Sequence, residues 1–127
     1  MDNQTAFETA IKGIIAQGAF GYNPETDACR YYDPDTGNRC AVGLLFDLQD
    51  AIRIQDRHGN TNALGVLTYE RPDIPRETGD MLLALQDQHD NLARKLNGEF
   101  DRTKVIEAMR VFADCHNLNT EFLDNAL

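Results

Sequence analysis

Residues 29–46 have the sequence CRYYDPDTGNRCAVGLLF, and the arrangement of the whole chain depends on how this stretch folds. At its centre, residues 33–37 combine a proline that presets φ, aspartates that bond nearby backbone and a glycine that accepts positive φ. Short β-prone segments flank this turn, so the pattern predicts a β-hairpin over residues 29–41. In such a hairpin Cys29 lies opposite Cys40, with Cβ atoms about 4.5–5.5 Å apart. That separation allows a shared metal ion or, after a small adjustment, a disulfide.

Helical periodicity dominates most of the remaining chain. Apolar residues recur at spacings of three and four in four segments, which we expect to be helices over residues 5–17, 42–54, 80–97 and 101–116. A short C-terminal helix is expected over residues 120–126. Glycine, proline and asparagine predict a long loop over residues 55–79, where only residues 64–69 suit a short strand.

Chain length and composition favour one compact domain. With 127 residues, 42% hydrophobic and 26% charged, the chain can bury a modest single core and is not expected to be disordered. We therefore expect a mostly α (α+β) fold over residues 1–127, with four to five helices packed around one short β-hairpin.

The net charge of −9 limits the kinds of partner that the protein can bind. An acidic surface repels phosphate backbones and anionic lipids, so we expect no direct binding to nucleic acid or membrane. A host protein with a basic surface, or a small ligand, is the expected partner. If the acidic faces of several helices merged, the surface could imitate a phosphate array as DNA-mimic inhibitors do, whereas scattered solvated acids would do no more than keep the protein in solution.

The N-terminus and the cysteines indicate a cytoplasmic location. Residues 1–4 lack the basic segment of a signal peptide, and the longest apolar runs are too short to span a bilayer. The chain has three cysteines, and thiols in the cytoplasm are kept reduced. A reduced Cys29 and Cys40 pair is therefore more plausible than a disulfide.

The same stretch resembles a family of small, uncharacterised bacteriophage and prophage proteins. These pair a C-x-Y-R-x-P-x-G-x-x-C-A-[IV]-G segment with a later L-Q-x-x-H-D segment. The matching residues here are Cys29, Tyr31, Pro34, Gly37, Cys40, Ala41, Val42 and Gly43, followed by Leu85, Gln86, His89 and Asp90. The chain departs from the family at Tyr32, where Arg is usual, and at Leu45, where a further Cys is frequent. The resemblance covers residues 5–118 and implies a phage context without implying an activity.

His89 is the histidine most open to a functional interpretation. Its spacing from Leu85 and Leu92 places the ring on the buried stripe of the predicted third helix, where it needs polar partners. A structural bond to a backbone carbonyl or to an acid such as Asp90 is one interpretation. Zinc is another, because two thiols and an imidazole suit this metal, with the fourth ligand supplied by Asp90, Cys115 or His116. The proposed metal ligands are Cys29, Cys40 and His89.

A Cys–His enzyme is a further alternative. Cys40 lies near the start of the predicted second helix, where the helix dipole and free N–H groups lower a thiol pKa. In a hydrolase or transferase of this kind His89 acts as the base that activates the Cys40 nucleophile. Residues one apart on a helix point about 100° apart. We therefore do not expect Asp90 to hold the ring of His89.

The flanks of the turn also offer a binding patch. Tyr31 and Tyr32 should point to opposite faces, one packed inside and the other displayed beside Arg30 or Arg39. Together with His89 and Asp90, the residues Tyr31, Tyr32 and Arg39 are the candidate binding set. Asp33, Asp35 and Gly37 resemble the start of a calcium loop, but the later bidentate Glu is missing and the turn interpretation is preferred.

No complete catalytic signature is present, and the leading interpretation is therefore a protein without catalysis. We expect a small acidic phage-type accessory protein, without a cofactor, that binds and inhibits or sequesters a host factor or ligand. The two alternatives are a Cys–His hydrolase or transferase using Cys40 and His89, and a zinc-stabilised interaction module.

Overall fold

The first helix opens the fold and is fixed at both ends by local contacts. The computed structural model describes residues 1–25, 28–59 and 61–125, with the backbone alone for residues 28, 29 and 125. In it, α1 spans Asn3–Gln17, and Oδ1 of Asp2 accepts a hydrogen bond from the N–H of Thr5 at 2.7 Å. Gly18 ends the helix at φ 66°, the left-handed conformation that favours glycine.

The predicted hairpin over residues 29–41 is wrong. The only regular pairing around this stretch, within the described residues, is a two-residue antiparallel ladder between β1 (Tyr22–Asn23) and β2 (Ala28–Cys29). The turn itself does form, since the N–H of Gly37 donates to the carbonyl oxygen of Asp33 at 2.7 Å. Residues 30–42, all of which the structure describes, contain no strand.

Side-chain amides from distant helices explain why this stretch is a loop. Oε1 of Gln55 accepts from the N–H groups of both Tyr31, at 2.9 Å, and Tyr32, at 3.4 Å. Oε1 of Gln17 accepts from the N–H of Arg39 at 2.8 Å. Donors that a hairpin ladder would have used are thus taken by side chains, and the backbone pairs across the loop at isolated points.

The segment after the loop is broken where one continuous helix was predicted. A 3₁₀ turn covers Gly43–Leu45, Phe46 is extended, and α2 then spans Leu48–His58. The predicted helix 42–54 is therefore wrong at its start, because Oδ1 of Asp47 caps a new helix by accepting from the N–H of Asp50 at 2.8 Å.

A third helix lies inside the predicted loop of residues 55–79. Helix α3 spans Ala63–Glu70, and the strand expected over residues 64–69 is wrong. Asn62 caps the helix through Oδ1, which accepts from the N–H of Gly65 at 2.9 Å. The buried residues of α3 are Ala63, Val66 and Leu67, a helical spacing that turns one face to the core.

Two longer helices complete the fold, and the mostly helical prediction is confirmed. Helix α4 spans Arg76–Lys95, α5 spans Arg102–Cys115, and a 3₁₀ turn covers Glu121–Asn125. Helices α1, α3 and α5 pack against α4. The side chain of Phe7 in α1 closes the core on the α5 side, with its ring stacked on Phe112. Within the described part of the chain, no helix is long and apolar enough to span a bilayer.

Candidate functional site

His89 lies in the core of the protein and connects α4 to the segment before β1. Its side chain is 2% exposed, and Nε2 accepts a hydrogen bond from the N–H of Gly21 at 3.3 Å. Because Nε2 is an acceptor there, the ring proton belongs on Nδ1, which donates to Oδ1 of Asp90 at 2.9 Å. Both ring nitrogens are therefore used in structural hydrogen bonds.

The expectation that Asp90 cannot hold the ring of His89 is wrong. The angle of about 100° separates the directions in which neighbouring side chains leave a helix. The Asp90 carboxylate extends beyond its Cβ and follows the helix surface, so that Oδ1 reaches both His89 and Nε2 of Gln86, at 2.7 Å. The side chain of Gln86 therefore donates to the same carboxylate oxygen that accepts from His89.

Gln86 is the residue that sequence reasoning left without a role. It is 7% exposed, and its Oε1 accepts from the backbone N–H of Val42 at 3.0 Å while its Nε2 donates to Asp90. The signal was available: Gln86 follows Leu85 and lies three residues before His89, within the buried stripe of α4. A glutamine there needs partners for both ends of its amide, and the loop and Asp90 supply them.

The thiol of Cys40 is buried, at 2% exposure, and lies three residues before the first residue of the 3₁₀ turn. Burial raises the pKa of this thiol to about 12. Hydrogen bonds from the N–H groups of Gly43 and Val42 lower the pKa of the thiol, and the negative charge of Asp90 raises it. The amide groups at the start of the turn thus act on Cys40 as expected, but burial outweighs them and the thiol stays protonated at neutral pH.

A cavity of about 140 Å³ lies between the loop, the start of α3 and α4. One water molecule needs about 10–15 Å³, so this cavity is large enough for more than one. Among the residues described along its wall, the only charged ones are Asp87 and Asp90, and both are acids. The other lining residues include Tyr31, Cys40, Asn62 and Gln86.

Tyr31 lines one side of the cavity, and its surroundings shift the pKa of its hydroxyl. Its hydroxyl donates to the carbonyl oxygen of Thr61, and burial raises its pKa, with smaller contributions from Cys40 and from the charge of Asp90. The Asp90 charge acts in the same direction on Cys40. The charge of Asp90 thus adds to the effect of burial at both groups.

The predicted binding residues do not form a single patch. Tyr31 and Asp90 line the cavity. His89 is not among the lining residues and donates a hydrogen bond to Asp90. Tyr32 is half-buried and lines a different cavity, as expected for a neighbour that points the other way. Nη1 of Arg39 donates to the carbonyl oxygen of Phe46 at 3.0 Å, so Arg39 stabilises the loop.

The zinc hypothesis rests on a residue of which the side chain is not described. Cys29 contributes backbone alone to the structure, so its proposed pairing with Cys40 lies outside the described residues. Among the side chains that are described, no group of three His, Cys, Asp or Glu is placed to hold a metal ion. Of the other suggested ligands, Cys115 is exposed at the end of α5, and His116 stacks on Phe112 with ring centroids 4.2 Å apart.

No family model, curated protein or solved structure matches the chain.

Proposed function

We propose that the protein is a non-catalytic binding protein whose cavity between the loop and α4 receives a cationic group, such as a lysine ammonium of a partner protein. The observation that carries the proposal is the charge of the cavity. Asp87 and Asp90 are the charged residues of its described lining, and both are acids. An ammonium group is small enough for a space of about 140 Å³ and is stabilised by the nearby carboxylates.

The hydrogen bonds of the site support binding more than catalysis. Nε2 of His89, the atom that would take a proton from a nucleophile, already accepts from Gly21. The thiol of Cys40 has its pKa raised to about 12, opposite to what a cysteine nucleophile needs. A Cys–His hydrolase would require both groups to be rearranged.

The charge of the whole molecule favours the same kind of partner. A net charge of −9 attracts basic proteins over long range and speeds their association. Together with the resemblance to small phage proteins, this charge supports a cytoplasmic accessory protein that sequesters a basic host factor. The phage context and the host factor stay predictions.

The test uses butylammonium as the probe and butanol as its uncharged counterpart. Amide NMR spectra of the ¹⁵N-labelled protein should shift at Cys40 and Thr61, which line the cavity, with butylammonium and not with butanol. The Asp87→Asn variant should weaken binding by about 3- to 10-fold, the range for one exposed carboxylate at about 1 kcal/mol. Asp114→Asn, which removes an exposed acid on α5, is the matched control and should bind as the wild type does.

A lysine derivative then tests whether the site accepts the ammonium group of a protein side chain as well as that of a free amine. Nα-acetyl-lysine N-methylamide, whose side-chain ammonium is free, should shift the same amides. Its norleucine analogue, which lacks the ammonium, should not. Equal shifts with butanol and butylammonium, or an unchanged affinity in Asp87→Asn, would contradict the cation site.

A further inference from the structure

A second cavity lies on the other side of the loop. It has a volume of about 290 Å³ and is lined by Arg30, Tyr32, Pro34, Ile52, Gln55 and Asp56. It shares none of these residues with the first cavity. Tyr31 lines the first cavity and Tyr32 lines the second, and the N–H groups of both residues donate to Oε1 of Gln55.

Arg30 differs from the other partly buried arginines. Its Nε is buried, and among the described residues it has no hydrogen-bond acceptor. Comparable side chains are paired: Nη1 of Arg53 lies 2.6 Å from Oε1 of Glu70, and Nη2 of Arg71 lies 2.9 Å from Oδ2 of Asp73. A buried donor without an acceptor costs about 1–3 kcal/mol, and native proteins rarely keep one without a reason.

The residues around the cavity do not supply the missing acceptor. Asp56 lines the same space, yet it forms no ion pair with Arg30, and both residues lie in the described part of the chain. Oε1 of Gln55 already accepts from two backbone N–H groups. Within the described part of the chain, the residues that line the cavity thus leave Nε of Arg30 without an acceptor, and a bound ligand could supply one.

We propose that this cavity binds a carboxylate carried on a compact apolar body. A planar carboxylate matches the planar donor edge of a guanidinium. Tyr32, Pro34 and Ile52 give the cavity an apolar wall against which the rest of the ligand packs. The nearby Asp56 disfavours a doubly charged phosphate more strongly than a singly charged carboxylate, because repulsion scales with the ligand charge. This site does not depend on the cation cavity or on the function proposed for it.

The test observes the Arg30 Nε–H directly in the folded, wild-type protein. Benzoate is the probe, benzyl alcohol its neutral counterpart and inorganic phosphate the competing anion, each followed by ¹⁵N NMR up to about 20 mM, which detects dissociation constants in the millimolar range. Benzoate should shift the Arg30 Nε–H signal, phosphate should bind at least several-fold more weakly, and benzyl alcohol should leave the signal unchanged.

Variants separate binding at Arg30 from a general effect of charge. Arg30→Gln should lose benzoate binding, whereas Arg102→Gln, which removes an exposed arginine of α5, should keep it. Asp56→Asn should tighten binding by about 3- to 10-fold, because the carboxylate that repels the ligand is removed. If Arg30→Gln does not fold, the wild-type Nε–H signal and the Asp56→Asn variant still decide the question.

The source of the carboxylate is settled by one further comparison. Acetyl-Gly-Gly-Phe with a free C-terminus is titrated beside its C-terminal amide. Binding of the free peptide at least tenfold tighter than benzoate assigns the site to a peptide C-terminus, and weaker binding assigns it to a small organic acid. An Arg30 Nε–H signal that neither benzoate nor the peptide shifts, or phosphate binding as tight as benzoate binding, would overturn the proposal.

Discussion

Nδ1 of His89 lies 2.9 Å from Oδ1 of Asp90, the residue that follows it in α4. The same oxygen accepts from Gln86, and the other ring nitrogen accepts from the N–H of Gly21. A histidine at 2% exposure thus joins the centre of α4 to the segment before β1. The contact gives the imidazole one defined tautomer, because a ring nitrogen that accepts a hydrogen bond cannot also carry the proton.

This tautomer is the first prediction. The ring of His89 should carry its proton on Nδ1, the less common tautomer in water, because Asp90 accepts at that position and Nε2 accepts from Gly21. Long-range ¹H–¹⁵N NMR spectra of the imidazole distinguish the two tautomers. His116, which is only partly buried, serves as the internal comparison. A protonated Nε2 on His89 would contradict the arrangement.

The second prediction concerns Gln86. Gln86→Ala should lower the free energy of unfolding by about 2–4 kcal/mol, because it leaves the N–H of Val42 without an acceptor and removes a donor from Asp90. Urea unfolding measures the loss. Gln88→Ala on the same helix is the control, with an expected change within about 0.5 kcal/mol. Similar losses in the two variants would mean that the Gln86 amide does not stabilise the loop.

The third prediction tests the thiol of Cys40. In a variant that keeps this cysteine alone, with Cys29→Ser and Cys115→Ser, iodoacetamide should react at pH 7.5 at least about 100-fold more slowly than in the urea-unfolded chain. Burial and a pKa raised to about 12 leave almost no accessible thiolate. Rapid alkylation of the folded protein would instead favour the Cys–His enzyme.

Local patterns in the sequence predicted the long helices and missed the contacts that shape the loop. The apolar stripes of α1, α4 and α5 are set by spacing within each helix, and spacing is visible in one dimension. The hairpin failed because Gln17 and Gln55, distant in the chain, take the backbone donors that a ladder needs. Helix α3 was missed because it is short, and a glycine and β-branched residues make its helical tendency weak.

The functional role of the residues singled out in the sequence stays a prediction, and the geometry that the structure shows for them was not predicted. Cys40 and Asp90 do line one cavity, and His89 adjoins it. The partner of Nε2 is a backbone amide at Gly21, 68 residues away in sequence, and no side-chain pattern marks such a partner. Arg39 is a basic residue near the turn, but its role in holding Phe46 depends on the break between the 3₁₀ turn and α2.

The fourth prediction follows from the close approach at Gly21. A Cβ added there would lie 2.2 Å from the backbone N of Cys40, and backbone atoms cannot move aside as a flexible side chain can. Gly21→Ala should therefore lower the free energy of unfolding by about 3 kcal/mol or more.

The control is Gly79→Ala in α4, where the added Cβ would meet Leu64 Cδ1 at an ordinary 3.7 Å. This variant should be neutral or gain up to about 1 kcal/mol, the helix preference of alanine over glycine. Thermal and urea unfolding compare the two, and a loss below about 1 kcal/mol in Gly21→Ala would contradict the packing.

The fifth prediction is a loss of stability in alkali that depends on Cys40. The pKa of this thiol is raised to about 12 in the folded protein, whereas an unfolded thiol ionises near about 8.5. Between these values the unfolded chain releases the proton and the folded chain keeps it, so the stabilising difference is complete below about pH 8.5 and is lost as the pH rises. The Cys40 contribution should fall by about 1.4 kcal/mol per pH unit over this window.

Urea unfolding between pH 8 and 10.5 should show a shallower decline for Cys40→Ala than for the wild type. Cys115→Ala, which removes an exposed thiol, should keep the wild-type slope, and equal slopes in all three proteins would mean that Cys40 ionises as readily in the folded state as in the unfolded one.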